Sequence, residues 1–244
     1  MSEITDFLNE LQVVADDSTL DIFVPSVERL VKFKPLSVKQ HYDILRCGID
    51  GVPGSIKLGI VLNKIIIENC FEPIDFKVED TEWILLNLRI ASVGENVVID
   101  GKTYNLRDLS RIAAPFDYTR KIVVKDITVH LDVPSVKKDL EVSEVYYKEF
   151  KKTANEDTGV SETISSMISY EIIKFIKSIS IRDQSIDFSN INTADKLKIL
   201  SSLPLSINNK IAEYIIEYRN NEQASFTFED GAVLSINSDF LTRA

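Results

Sequence analysis

Residues 80–106 read D-T-E-W-I-L-L-N-L-R-I-A-S-V-G-E-N-V-V-I-D-G-K-T-Y-N-L, and the period of their apolar side chains changes midway. Up to Gly94 the pattern is that of a helix. Trp83, Ile84, Leu85, Leu86, Leu88 and Ile90 leave only a thin polar stripe at Glu82, Asn87 and Arg89, as in a helix buried on most sides. Asp80 or Thr81 stands where an N-cap belongs, and Gly94 where such a helix stops. Arg89 inside this helix requires a partner, because an unpaired buried charge is strongly destabilising. A carboxylate from elsewhere in the chain is the expected partner, and a substrate-binding arginine is the alternative. Past Gly94 the pattern alternates. Val97, Val98 and Ile99 lead into Asp100-Gly101, a hairpin turn signal, and out through Thr103-Tyr104. The stretch is therefore a hinge between an N-terminal segment and a β-rich middle.

Working back from the hinge, Pro73 marks the exit of a helix expected over about 55–69, with Ile56, Ile60, Leu62, Ile66 and Ile67 available to a core. Gly48-x-x-Gly51-x-x-Gly54 separates it from a helix over about 38–47. No Gly-Lys-Ser/Thr follows those glycines and no strand precedes them, so an inter-helix turn containing Pro53 is read in place of a phosphate loop. Ser37-x-x-Gln40 has the form of a capping box. Residues 20–36 hold two β-prone runs around Pro25-Ser26. Val31 and Phe33 alternate with Lys32 and Lys34, and Pro35 ends the second run, so a hairpin is expected. Ile4, Phe7, Leu8 and Leu11 are spaced for a short helix over 1–15, either docked on a neighbour or frayed.

Working forward, residues 107–114 read as a short helix stopped by Pro115. Residues 119–133 return to strand, with Ile127, Val129, Leu131 and Val133 alternating against Thr128, His130 and Asp132. Residues 136–152 are compatible with helix, and 153–160 form the best linker candidate. A helix is expected over 161–181 from Ile164, Ile168, Ile172, Phe175, Ile176 and Ile179. Further helices are expected over 193–203 and 206–219, separated at Leu203-Pro204-Leu205. A terminal hairpin, Phe226-Thr227-Phe228 to Val233–Ile236, turns at Asp230-Gly231, and Phe240 and Leu241 tuck under the preceding helix.

The chain carries 38 acidic against 28 basic residues, a formal charge of −10, which repels nucleic-acid phosphates and anionic lipid. Two cysteines and two histidines are too few for a structural zinc site or a disulfide framework. The N-terminus lacks the basic start of a signal peptide, and no apolar run approaches the ~18 residues of a membrane span. Neither His41 nor His130 is flanked by a nucleophile motif, so no hydrolytic triad is nominated. Paired carboxylates need only spatial proximity, which leaves a hydrolase acting through two acids as the rival reading.

Three stretches together resemble the baseplate hub and hub-assembly protein family of T4-type contractile-tailed phages. The first is V-P-S-V-E-R-L-V-K-F-K-P-L-S-V-K-Q, residues 24–40, with Pro25, Ser26, Lys32, Pro35, Leu36 and Lys39 at the matching positions. The second is E-W-I-L-L-N-L-R-I-A-S-V-G-E, residues 82–95, with Trp83, Arg89, Ser92 and Gly94. The third is L-P-L-S-I-N-N-K-I-A-E-Y-I, residues 203–215, with Leu203 and Pro204, followed by the terminal hairpin and Phe240. Some members of that family place cysteine pairs after the Ser-x-Gly and in the final hairpin. Here Val97 to Tyr104 and Phe226 to Asp230 carry none, so apolar packing must replace any metal.

The fold expected is α+β: an N-terminal strand–helix module over 1–79, a hinge helix with a β-rich middle over 80–152, and a helical C-terminal module with its hairpin over 161–244. The resemblance implies a structural or chaperone-like protein of a contractile-tailed phage that helps assemble the central baseplate hub. It implies no enzymatic activity and no cofactor. The implied partners are other baseplate or tail proteins, with no nucleic acid and no membrane. The implied location is the host cytoplasm during assembly, or the virion tail baseplate.

Overall fold

A computed structural model of the chain describes residues 4, 5, 7, 18–49, 51–111, 118–153, 160–223, 226–234, 240 and 241. The chain forms two compact units, and the fold is α+β in both. One holds residues Met1–Leu109 with Leu234–Ala244, and the other Ser110–Val233. The division falls at 109/110 and 233/234, so residues 80–109 group with the N-terminal module and residues 110–152 with the later helices.

The first unit begins with β1 (Leu20–Val24) and β2 (Arg29–Phe33), antiparallel with Phe23 opposite Leu30 and Val24 opposite Arg29. Alternation sorts their faces. Ile22, Val24, Val31 and Phe33 are buried, whereas Phe23, Leu30 and Lys32 are exposed. Helix α1 (Val38–Ile49) opens on the expected capping box: the Gln40 N–H donates to Ser37 Oγ at 3.2 Å, and the Ser37 N–H donates to Gln40 Oε1 at 3.0 Å. Helix α2 (Gly51–Asn69) starts earlier than expected, with Gly51, Pro53 and Gly54 inside it. A proline is tolerated in a first turn, where its missing N–H has no partner to lose. Helix α3 (Thr81–Ser92) is the hinge helix, with Ile84, Leu85, Leu86, Leu88 and Arg89 buried. It packs on β1 and α2. Strands β3 (Asn96–Ile99) and β4 (Lys102–Asn105) follow as the expected hairpin, with Asp100 at φ 51° and Gly101 at φ 79° in its two-residue turn. Of the helix expected over 1–15, Ile4, Thr5 and Phe7 are described, all helical, with Ile4 and Phe7 exposed; Leu8 and Leu11 lie outside the described residues.

The second unit is built on a four-stranded antiparallel sheet in the order β6 (Thr119–Val124), β7 (Ile127–Asp132), β8 (Ile176–Ile181), β9 (Gln184–Asp187). Helices α4 (Val136–Thr153) and α5 (Val160–Phe175) separate β7 from β8, and α6 (Thr193–Ser201) and α7 (Leu205–Gln223) follow β9. Ile122, Val129, Leu131, Ile176 and Ile179 form the buried side of the sheet. Ile207, Ile211, Ile215 and Tyr218 give α7 its expected buried stripe.

The helix expected over 161–181 ends at Phe175, and Ile176–Ile181 is strand. Ile176 and Ile179 fit helical spacing, but β7 on one side and β9 on the other satisfy this segment's main chain. The short helix expected from 107 is not an α-helix over 107–111: Leu106–Asp108 form a 3-10 helix, and β5 (Ser110–Arg111) pairs with β10 (Phe226–Thr227). Residues 119–132 are strand as expected, in two strands joined at Lys125-Asp126, where Lys125 adopts φ 54°. The linker expected over 153–160 lies mostly outside the described residues. Of the terminal hairpin, the Thr227–Val233 bridge and the turn bond from the Gly231 N–H to the Phe228 carbonyl at 2.9 Å are present.

Candidate interaction surface

The motif residues of the first unit divide into those that hold the fold and those that face outward. Asp80 stands at the start of α3, as expected of a cap, but its carboxylate turns to other work. Fully buried, it accepts from the Ser26 N–H at 3.1 Å, from the Ser26 hydroxyl and from the Lys77 N–H at 3.3 Å. The Pro25-Ser26 turn is thus pinned to the entry of the hinge helix by charge-assisted bonds. One turn on, the Trp83 indole N–H donates to the Phe23 carbonyl at 2.8 Å and fixes the end of β1. At the far end of α3 the Leu36 N–H donates to Ser92 Oγ at 2.8 Å, and that hydroxyl donates to the Leu88 carbonyl at 2.7 Å. Asn69, buried at the end of α2, donates to the carbonyls of Lys34 and Pro35 and accepts from Gln40 Nε2 at 2.7 Å. Ser26, Leu36, Trp83 and Ser92 therefore tie the β1–β2 hairpin and the chain after it to α3, while Asn69 holds Pro35 to α2.

Arg89 is the largest fully buried side chain among the described residues. Among the described residues its guanidinium donates to main-chain carbonyls: Nε to Phe240 at 2.9 Å, Nη2 to Asn96 at 2.8 Å, and Nη1 to Gly94. Its guanidinium carbon also lies 5.1 Å from the centroid of the Phe240 ring. Burial lowers the arginine's pKa from its ordinary value. Gly94 adopts φ 129°, which an L side chain rarely takes, so glycine is needed to aim this carbonyl back at the helix. Phe240 and Leu241, expected under the preceding helix, instead belong to the first unit, where Phe240 meets Arg89 of the hinge helix. Leu203 and Pro204 lie in the second unit, where the Ile207 N–H donates to the Pro204 carbonyl at 2.9 Å as α7 begins.

The outward-facing set is different in kind. Lys32 is exposed on the solvent face of the hairpin, beside the exposed pair Phe23–Leu30. Lys39 is exposed on α1. On the same helix Val38, Tyr42 and Leu45 are 72%, 58% and 38% exposed, at i, i+4 and i+7, while Ile44 and Cys47 are buried. This helix therefore has an apolar stripe on each of two sides, and the first unit covers one of them. Beside α3 lies a groove of about 470 Å³ floored by Leu20, Trp83, Leu86, Ile90 and Leu106, with Asp21 and Arg107 on its walls. Arg107 is held by Glu95 at 2.6 Å. The i, i+4, i+7 spacing of Val38, Tyr42 and Leu45 is legible in the sequence, but spacing alone does not say which side of a helix the fold covers.

Among the described residues no group of three His, Cys, Asp or Glu side chains is placed to hold a metal ion, and no helix is long and apolar enough to cross a membrane. Comparison with curated proteins and with solved structures gave no match. The sequence model described as T4 bacteriophage base plate protein matches residues 17–228, which spans both units and every motif position except Phe240. A match over that much of the chain identifies this protein as a member of the T4 bacteriophage base plate protein family.

Proposed function

We propose that this protein acts in assembling the central hub of a contractile-tail baseplate, as a structural or chaperone-like subunit that binds other baseplate or tail proteins. Base plate family membership supports a role as a non-enzymatic building part. The observation that carries the reading is the apolar stripe Val38–Tyr42–Leu45, on a helix whose other side is already buried. An amphipathic helix of this kind docks on a partner through anchors at i, i+4 and i+7. Lys39 and the Phe23–Leu30 pair extend the first unit's exposed surface with one charge and two more apolar side chains. Specific contacts of this class bury ~1,200–2,000 Å² in total, far more than one helix face, so several exposed elements take part.

The site of action is the host cytoplasm during assembly, with the finished baseplate as a second location if the protein remains in the particle. Mass spectrometry of mature particles beside baseplate intermediates tests the reading. Recovery with hub intermediates supports it, and presence in both fractions marks a component. Absence from every baseplate fraction, in infected cells that contain the protein, counts against it.

A further inference from the structure

Strand β1 has one paired edge and one open edge. Its inner edge meets β2, and among the described residues no strand lies on the other side. In an antiparallel pair, successive residues turn their main-chain groups alternately toward the partner and away from it. The Phe23 carbonyl accepts from the Trp83 indole of α3 at 2.8 Å, so Phe23 turns away from β2. Asp21, two residues earlier, turns the same way and presents its N–H and C=O to the groove that it lines. That groove, of about 470 Å³, runs between the open edge and α3 over Leu86, Ile90 and Leu106. Leu20 borders it, on the same face of the strand as the buried Ile22. Its two charged walls are not equivalent. Arg107 is taken by Glu95 at 2.6 Å, whereas Asp21 makes no ion pair among the described residues, so the charge left to a ligand is negative.

We propose that this groove takes an extended segment of another protein, of the pattern apolar–basic–apolar, as a strand added antiparallel to the open edge of β1. The middle residue of the segment exchanges both main-chain bonds with Asp21. Its side chain falls beside the Asp21 carboxylate, where a lysine or arginine is favoured. The residues on either side of it alternate to the other face and lie over Leu86, Ile90 and Leu106. On its inner edge β1 already has a neighbour of this form: Val31-Lys32-Phe33 sets Lys32 opposite Asp21 and buries Val31 and Phe33. The source of the segment, a baseplate or tail protein, rests on the function proposed above. The site itself does not, since it shares no residue with the exposed stripe of α1.

The test uses the full wild-type chain and, as probe, a fluorescein-labelled peptide of residues 29–34, R-L-V-K-F-K, which carries the required pattern. Saturable binding by anisotropy is expected. It should weaken at least tenfold when the peptide carries Lys32→Glu. It should weaken as much when the Lys32 amide of the peptide is N-methylated, which removes the donor to the Asp21 carbonyl and leaves every side chain in place. Asp21→Lys in the full chain should reverse the preference, so that the glutamate peptide binds more tightly than the lysine peptide. Asp21 is exposed, and urea unfolding followed by Trp83 fluorescence verifies the fold of that variant. The Tyr42→Asp, Leu45→Asp variant should bind the peptide as the wild type does, which separates this groove from α1. Absence of saturable binding to the wild type overturns the proposal. Binding indifferent to N-methylation also overturns it, because the groove would then be an apolar patch without strand pairing. Loss of binding in the α1 variant places the peptide elsewhere and overturns it too. A concentration-dependent dimer of the wild-type chain that excludes the peptide overturns it in favour of a second copy at this edge.

Discussion

Replacing Arg89 by methionine removes a fork of donors and leaves its acceptors behind. The described acceptors are main-chain carbonyls, which stay whatever the side chain. The Phe240 carbonyl is buried and loses its donor, which costs about 1–3 kcal/mol. The carbonyls of Gly94 and Asn96 are only partly buried, so water recovers some of theirs. Loss of the guanidinium–ring contact adds about 1 kcal/mol. The expected total is about 3–5 kcal/mol, a large share of the ~5–15 kcal/mol that stabilises a typical domain. Trp83 is the chain's single tryptophan and lies on the same helix, so its fluorescence reports the first unit alone. With a urea slope of ~1–3 kcal/mol per molar, the midpoint of that transition should fall by roughly 2 M. The part of the far-UV circular dichroism due to residues 110–233 should keep its midpoint. A loss below about 1 kcal/mol in Arg89→Met would mean instead that the carbonyls had found other donors at little cost.

Four further outcomes are expected. Asp80→Ala strips the Ser26 and Lys77 donors of their buried acceptor and should cost about 2–4 kcal/mol in the same Trp83-monitored urea experiment. Gly94→Ala meets no neighbouring atom but forces a side chain onto φ 129°, so about 1–3 kcal/mol should be lost with no change in packing, read by thermal unfolding. In the second unit Lys174 lies 2.7 Å from Asp139 and 3.0 Å from Glu171, and Glu171 lies 2.9 Å from Arg219. Burial raises the Glu171 pKa, but Lys174 and Arg219 outweigh it and hold the group below its ordinary value near 4.5. Burial likewise lowers the Lys174 pKa, and Glu171 with Asp139 outweighs it and holds the group above 10.5. Glu171 thus stabilises the unit above about pH 4.5, and that contribution fades as pH falls through its depressed folded value. The Lys174 contribution is complete below about pH 10.5 and fades as pH rises through its raised folded value. Melting temperature against pH should show both flanks, and Glu171→Gln should flatten the acid one. Tyr42→Asp with Leu45→Asp should leave the unfolding free energy within ~0.5 kcal/mol of wild type, because both side chains are exposed, while reducing recovery of hub intermediates.

Local signals carried the first unit. The buried stripe of α3, the Asp100-Gly101 turn and the Ser37–Gln40 box each depend on residues a few positions apart, and each stands in the structure as read. Non-local pairing defeated the reading of the second unit. Ile176 and Ile179 continue the apolar spacing of α5, and only the flanking strands β7 and β9 make them strand. The turns at Lys125 and Arg182 adopt φ 54° and 53° without a glycine or asparagine to announce them, so no residue in the sequence marks the boundary between β6 and β7 or between β8 and β9. The described partners of Arg89 were illegible for another reason. Every residue carries a carbonyl, so nothing in the side chains of Gly94, Asn96 or Phe240 marks it as an acceptor. Asp80 shows the same limit. Its place at a helix entry was visible, but its use on Ser26, fifty-four residues earlier, was not.

The proposed docking of other baseplate proteins on the exposed side of α1 is open to a single decisive comparison. Tagged wild-type protein and the Tyr42→Asp, Leu45→Asp variant are captured from infected cells and compared by quantitative mass spectrometry. Hub proteins should be enriched with the wild type and reduced at least tenfold with the folded variant. Equal recovery of the same hub proteins with both would rule this docking out.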